Sequence, residues 1–418
     1  MQDLNQSARR ITLTLFSAQS LSSAGFIAAA TLNSILGAQL GGQASWAGVP
    51  SAVYLVGAAG AAFLWGYLMD VWGRRFGLIA GLLLGALGAA LAFYAVAANS
   101  LLTFLTGLVL MGIANAAVTL GRFAAAEVHP PEARGRAISN VVLGGAVGAI
   151  FGPLMVGPMG RLAQSFGFEE LSGAYAISAL LFILACLAIF AWLRPDPRDL
   201  GREVARLYPE ARSNNNGEAR SIGQILRLPA AIVAILAMAL GQMVMVMVMV
   251  ITALHMRDHH HGLGSVSLVI SAHTFGMYGF SIISGRLADR WGRGPVIISG
   301  AATLLLACLA ATLSPDVLPL AVALFLLGLG WNFCFVGGST LLADQLSPAE
   351  RARTQGFNDL LVGMASAVAS LGSGLIFATL GYTVMALAGA TFSLVPLVAA
   401  IAWFKGTQSR KVQALPNQ

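Results

Sequence analysis

The chain has 418 residues, of which 57% are hydrophobic and only 10% charged, and its mean hydropathy is +0.78. Soluble proteins average about 25% charged residues, so this composition cannot form a water-exposed surface. Its three cysteines, Cys186, Cys308 and Cys334, show no paired spacing, which excludes a disulfide scaffold. The net charge of +7 would fit a nucleic-acid partner only if the basic residues formed one patch.

Twelve apolar stretches follow one another along the chain. Each can cross a hydrocarbon core of about 30 Å, which takes roughly 20 helical residues. Backbone groups in lipid must bond within their own segment, so we predict an all-α membrane protein with twelve transmembrane helices. The predicted spans 1 to 12 cover residues 11–38, 46–69, 76–98, 101–126, 137–160, 171–194, 225–256, 264–287, 294–314, 317–342, 355–379 and 382–404.

The basic residues are distributed unequally between the two sides of the predicted membrane spans. Of 24 Lys and Arg residues, all but three fall on one side of the predicted spans. Arg161 and Arg257 fall on the other side, and Arg122 lies within span 4, where we expect it to pair with Glu127. The positive-inside rule therefore predicts that both termini are cytoplasmic. The net positive charge thus reflects the membrane topology of the chain. The expected partner is therefore the lipid bilayer and not a nucleic acid.

The first apolar stretch is too long for a secretory signal, so we expect it to remain as span 1. One long polar interval, residues 195–224, divides the spans into two sets of six. It includes two prolines, interleaved charges and the run Asn214-Asn-Asn-Gly217, which predict a cytoplasmic linker, partly amphipathic and partly flexible. We therefore expect an N-terminal six-helix bundle at 1–194, the linker at 195–224, a C-terminal bundle at 225–404 and a cytoplasmic tail at 405–418.

The two halves repeat a loop motif. Gly66-Tyr-Leu-Met-Asp70-Val-Trp-Gly73-Arg74 recurs as Gly285-Arg-Leu-Ala-Asp289-Arg-Trp-Gly292-Arg293, 219 residues later. Three further pairs recur at an offset of 217, which makes a parallel internal repeat the expected architecture; they are Asn115 with Asn332, Glu127 with Asp344, and Arg134 with Arg351.

This motif resembles the loop between helices 2 and 3 of the major facilitator superfamily, and its copy occupies the equivalent place in the second half. The resemblance implies two six-helix pseudo-repeats that rock around a central site. We predict that the two loops form a conformational latch. Its glycines would allow a tight turn and close helix approach, and its aspartates would face helix N-termini or arginines. The predicted latch residues are Gly66, Asp70, Gly73, Arg74, Gly285, Asp289, Gly292 and Arg293.

Methionines cluster in span 7, which reads Gly241-Gln-Met-Val-Met-Val-Met-Val-Met-Val250. Residues four apart share a helix face, so the candidate pairs are Met245 with Met249 and Met243 with Met247. Span 8 contains a second such pair, His273 with Met277. Methionine often merely fills apolar space, but an imidazole within a membrane helix is a functional candidate by default. Thioethers and an imidazole form a soft, neutral ligand set that suits Cu(I).

These pairs resemble the MxxxM and HxxxM motifs of the CcoA-like copper importers, a group of the major facilitator superfamily. The resemblance implies a metal site at Met245, Met249, His273 and Met277 in a bacterial inner-membrane protein. It implies copper as the transported substrate, no permanent cofactor, no enzymatic activity, and a periplasmic or cytoplasmic copper chaperone as partner. It also implies supply of copper to a cytochrome oxidase.

A histidine cluster follows span 7 on the side predicted to be periplasmic. His255, His259, His260 and His261 could collect metal before transport, or they could form an ordinary solvated loop.

Two other cargoes stay open. The broader clade includes riboflavin carriers, and an organic cargo would depend on residues such as Trp331 and Asn332. The stretch Gly148-Ala-Ile-Phe-Gly152-Pro153 resembles an element of drug/proton antiporters, although small residues at this spacing also favour close helix packing.

Overall fold

A computed structural model describes residues 2–207 and 220–413. Every regular element in these residues is helical, and fifteen of the helices are α-helices. The first eight are α1 (Gln2–Gly41), α2 (Val49–Trp72), α3 (Arg74–Ala97), α4 (Leu101–Thr119), α5 (Gly121–Glu127), α6 (Arg134–Ser165), α7 (Gly173–Trp192) and α8 (Pro197–Leu207). The others are α9 (Ile222–Ile225), α10 (Pro229–Asp258), α11 (Leu263–Tyr278), α12 (Ser281–Trp291), α13 (Arg293–Ala310), α14 (Val317–Asp344) and α15 (Pro348–Gln413).

The helices match the predicted spans. Eleven helical segments of the described chain are long and apolar enough to cross a membrane. The last of them, Arg353–Thr407, contains Gly381 at φ 80°, a left-handed conformation that separates predicted spans 11 and 12. Span 4 is divided into α4 and α5, and span 8 into α11 and α12. The all-α, twelve-span architecture is confirmed.

Two compact units divide the described residues. One holds α1 to α8 together with His260–Ser271, and the other holds α9, α10 and the residues from Ala272 onward. In the first unit, α1 packs on α6 and α7, and α4 packs on α2 and α3. In the second unit, α10 packs on α14 and α15, and α13 packs on the same two helices.

Small residues determine how closely α6 approaches α1. A β-carbon at Gly148 would lie 2.0 Å from the carbonyl oxygen of Ser20, and one at Gly152 would lie 2.5 Å from that of Ala24. No side chain fits at either position, so the glycines allow backbone contact between the helices. The stretch that resembles an antiporter element therefore has a packing role in this fold.

The linker is helical at its start. Helix α8 buries Pro197, Leu200 and Val204 and is amphipathic, as expected. The run Asn214–Gly217, predicted to be flexible, lies outside the described residues.

The end of the linker is bound to α15 through a buried carboxylate. Glu350 is 2% exposed as a side chain, and it accepts hydrogen bonds from Arg220 Nε at 2.8 Å and Nη2 at 2.8 Å. Its Oε2 also accepts from the backbone N–H of Ser347 at 2.9 Å. The Arg220 guanidinium, followed by the Ser347 N–H, holds the pKa of Glu350 below its ordinary value of 4.5.

This pairing predicts a pH-dependent stability. Because the pKa of Glu350 is lower in the folded state, its ion pair stabilises the fold fully above about pH 4.5 and less as the pH falls below that value. Glu350→Gln should therefore lower the melting temperature in detergent at pH 7, and the difference from wild type should narrow below about pH 4.5. Glu203→Gln, at an exposed position of α8, is the control and should match wild type throughout. A difference for Glu350→Gln that is constant with pH would contradict the assignment.

Candidate functional site

Backbone contact between α11 and α14 positions His273. A β-carbon at Gly328 would lie 2.2 Å from the His273 carbonyl oxygen, and one at Gly276 would lie 2.4 Å from that of Phe325. The glycines bring the two helices close enough for His273 Nδ1 to lie 2.9 Å from the carbonyl oxygen of Leu324.

That hydrogen bond fixes the tautomer of His273. A carbonyl oxygen can only accept, so Nδ1 carries the proton and donates it to Leu324. In the neutral ring the lone pair is then on Nε2, which is buried and has no hydrogen-bond partner. The residue is 0% exposed. An imidazole oriented by a backbone carbonyl, with its other nitrogen free, is the arrangement typical of a metal-ligating histidine.

Met277 lies one turn from His273 and is 8% exposed. Helix α11 ends one residue later, and a turn at Gly279 and Phe280 precedes α12. Asn332 Nδ2 donates to the Met277 carbonyl oxygen at 2.7 Å and to Ser281 Oγ at 3.0 Å. Interrupted helices near the bilayer midplane commonly line transport sites, because the break frees backbone groups for recognition.

The face of α10 that carries Met245 and Met249 is identified by contacts with α14. Gln242 Oε1 accepts from Trp331 Nε1 at 2.6 Å. At about 100° per residue, Met245 and Met249 lie within about 60° of Gln242, whereas Met247 lies about 160° from Met245. Met245 and Met249 therefore share the face that is turned to α14, and the alternative register does not.

Trp331 also shows how the two candidate pairs compare in depth. Its ring contacts that of Tyr278 at 6.1 Å between centroids, so Gln242 and Tyr278 lie near the same level of α14. Met245 lies three residues, or about 4.5 Å, along α10 from Gln242. Gly328 lies the same number of residues along α14 from Trp331, so Met245 and Gly328 lie at the same level. A β-carbon at Gly328 would contact the His273 carbonyl oxygen and, at 2.9 Å, the Met277 nitrogen. Both pairs thus lie at similar depths in the second unit.

The metal site at Met245, Met249, His273 and Met277 stays a prediction. Among the described residues, no group of three or more His, Cys, Asp and Glu side chains could hold a metal ion. A site at this level would consist of three sulfur atoms and one imidazole nitrogen, which is the predicted ligand set.

The four histidines after span 7 are divided between the two compact units. His255 stacks on Tyr382 with centroids 4.0 Å apart and an interplanar angle of 3°, and it meets His259 edge-on at 4.4 Å. His259 Nδ1 donates to the carbonyl oxygen of His255 at 2.9 Å. His260 and His261 belong to the first unit. Metal capture by the four histidines therefore stays a prediction.

The first predicted latch loop contains an ion-pair triad. Arg74 contacts Asp70 at 2.7 Å and binds both carboxylate oxygens of Glu127, at 2.7 and 3.1 Å. The expected pairing of Glu127 with Arg122 is wrong. The Arg122 guanidinium lies over the Phe123 ring at 4.9 Å, and its buried Nε has no partner.

The second loop repeats this arrangement. Arg293 contacts Asp289 at 3.4 Å and Asp344 at 2.9 Å. The turns also match, with Gly73 at φ 99° and Gly292 at φ 91°, both in the left-handed region that favours glycine. A β-carbon at Gly66 or Gly285 would meet no described atom within 4 Å, so the close approach expected there is not made.

A carboxylate from the start of the linker also binds the first loop and was not predicted. Asp196 accepts hydrogen bonds from the backbone N–H groups of Arg74 at 3.1 Å, Arg75 at 3.0 Å and Arg198 at 2.9 Å. It therefore caps α3 and α8 together, whereas Asp70, expected to face helix N-termini or arginines, contacts the Arg74 guanidinium. Aspartate immediately before a proline is a helix N-cap signal, but the sequence does not show that the same carboxylate reaches α3.

A twelve-span fold with two matched ion-pair loops defines a membrane transporter of two repeats. The chain belongs to the major facilitator superfamily, whose model matches residues 15–257 and 233–418. It is therefore a multi-pass membrane transporter and not an enzyme.

Relatives share nearly its full length. The chain is 35% identical to YdeG, an uncharacterised transporter of this superfamily from Bacillus subtilis, over 95% of this chain and 92% of that one. It is 28% identical to the riboflavin transporter RfnT of Brucella anthropi, over 90% and 91%. The solved structure of the nucleoside transporter NupG aligns with a TM-score of 0.65 at 18% identity, over 94% and 99%. The last likeness concerns the fold alone.

Proposed function

We propose that this protein imports copper across the bacterial inner membrane by alternating access, with both termini in the cytoplasm. Met245, Met249, His273 and Met277 are the ligands that carry Cu(I) in this proposal. The main support is the buried His273 ring, whose Nδ1 is bonded to Leu324 while Nε2 keeps an unpartnered lone pair. A soft nitrogen donor level with three thioethers suits a soft monovalent ion.

The neutral charge of the ligand set also supports this cargo. Taking a carboxylate out of water is costly, whereas an imidazole and thioethers can be buried without a counterion. The ion itself brings a single positive charge. Sulfur ligands select Cu(I) over Mg²⁺ and Ca²⁺, which prefer oxygen.

The test compares two buried methionines of one helix. Met245→Ala should lower uptake of radioactive copper by cells about tenfold or more, because one of four ligands is lost. Met247→Ala is the matched control, since Met247 is 3% exposed, as buried as Met245 at 5%, but faces the other way. Wild-type uptake in Met245→Ala cells would refute the copper proposal.

A second candidate is uptake of a flat aromatic solute such as riboflavin. The relationship to RfnT favours it, as does a ring cluster in which Trp331 stacks on Phe335 at 5.1 Å and meets Tyr278 at 6.1 Å. Under this alternative, Trp331→Leu abolishes riboflavin uptake and Met245→Ala leaves it unchanged. The same cells, assayed for both cargoes, separate the two functions.

A further inference from the structure

A third methionine lies on the ligand-bearing face of α10. Met238 is seven residues before Met245, and steps of four, three and four residues connect Met238, Gln242, Met245 and Met249. At about 100° per residue these four side chains stay within about 60° of one another. Met238 therefore continues the thioether row about 10 Å toward the end of α10 that is predicted to be cytoplasmic.

Close packing holds Met238 against α14. A β-carbon at Gly338 would lie 2.8 Å from Met238 Cγ and 2.9 Å from the Ala234 carbonyl oxygen. Met238 is only 1% exposed, so its thioether is fixed between helices and shielded from bulk solvent.

Asn358 of α15 contacts this thioether, and α15 carries two buried polar atoms without partners. Asn358 Nδ2 lies 3.6 Å from Met238 Sδ, and Asn358 is 0% exposed while its Oδ1 has no hydrogen-bond partner. One turn earlier on α15, Thr354 is 1% exposed and its Oγ1 also has no partner. Leaving a buried polar atom unpaired costs free energy, so such atoms are expected where they serve a ligand.

We propose that Met238, Asn358 and Thr354 form a second copper station, which receives Cu(I) from the four-ligand site on its way to the cytoplasm. The inference rests on the proposed copper import. The Met238 thioether is the soft ligand, and the Asn358 amide and Thr354 hydroxyl oxygens are weak additional donors. One sulfur with oxygen donors binds Cu(I) less strongly than three sulfurs and an imidazole, which suits a site of release.

Copper uptake by variants of Met238 tests the second copper station. Met238→Leu conserves volume but removes the sulfur, and it should lower copper uptake at least fivefold. Met238→Cys restores a sulfur ligand in a smaller side chain, so it should transport faster than Met238→Leu although it packs less well. Met247→Leu, on the opposite face, is the control and should transport like wild type.

Equilibrium Cu(I) binding separates this station from the main site. Purified Met238→Leu should keep the tight binding of wild type, whereas Met245→Leu should lose it. If Met245→Leu is impaired and Met238→Leu transports normally, or if Met238→Cys is no better than Met238→Leu, the station is refuted and copper import stands. If wild type takes up no copper, the proposed function fails and the station with it.

Discussion

Replacing His273 with asparagine is expected to lower copper uptake about 10- to 100-fold while leaving the fold intact. The asparagine amide, whose nitrogen is attached to Cγ as Nδ1 is, can donate to the Leu324 carbonyl oxygen as Nδ1 does at 2.9 Å in the native residue. It cannot supply the soft nitrogen lone pair of Nε2, because its remaining acceptor is a hard oxygen. The structural hydrogen bond and the ligand role are thereby separated.

His273→Leu completes the comparison. It removes both the ligand and the donor to Leu324, so uptake should fall as in His273→Asn and stability should fall by about 1 kcal/mol more. Copper uptake by cells and thermal unfolding of the purified variants measure the two effects. An asparagine variant with wild-type uptake and stability would assign His273 a purely structural role and remove the main support for a metal cargo.

The repeat and the spans were readable from the sequence because lipid imposes a simple pattern. Apolar length predicts each helix, and the loop copies at a fixed offset predict two equivalent units. The separation of spans 11 and 12 at Gly381, where the backbone of α15 leaves helical geometry, also follows the predicted boundary between residues 379 and 382. The breaks inside spans 4 and 8 were not predicted, because the single glycine beside each, Gly121 and Gly279, is a common residue within membrane helices.

Contacts between side chains of different helices were harder to predict from the sequence. Glu127 and Arg122 are near in sequence, but five residues place their side chains about 140° apart on a helix. The partner of Glu127 is instead Arg74, which comes from another helix. For the candidate site, the sequence supplied the four candidate ligand residues, whereas the free nitrogen of His273 and the bond from Trp331 to Gln242 required the packing of α14.

The two loop glycines are expected to differ strongly in their tolerance of alanine, although their backbones are alike. Gly73→Ala should lower the free energy of unfolding by about 3 kcal/mol or more. The Gly73 backbone, at φ 99° and ψ 157°, lies in a region almost exclusive to glycine, which costs an alanine about 1–3 kcal/mol. Its β-carbon would also lie 2.5 Å from Asp196 Oδ2.

The Asp196 carboxylate cannot move without loss. It caps the N-terminus of α3 through Arg74 and Arg75 and that of α8 through Arg198, and a cap is worth about 0.5–2 kcal/mol. At Gly292, the nearest described atom to an added β-carbon is Pro295 Cδ at 3.9 Å, so Gly292→Ala should cost only the conformational strain.

Thermal unfolding of both variants beside Asp196→Ala measures this difference. In an Asp196→Ala background, Gly73→Ala should cost no more than Gly292→Ala, because the obstructing carboxylate is gone. Equal destabilisation by the two glycine substitutions in the native background would show that the linker does not hold the first loop. The opposite result is that Gly73→Ala loses more stability than Gly292→Ala in the native background but not in the Asp196→Ala background. That result would identify the Asp196 carboxylate as the group that makes the two otherwise matched loops unequal.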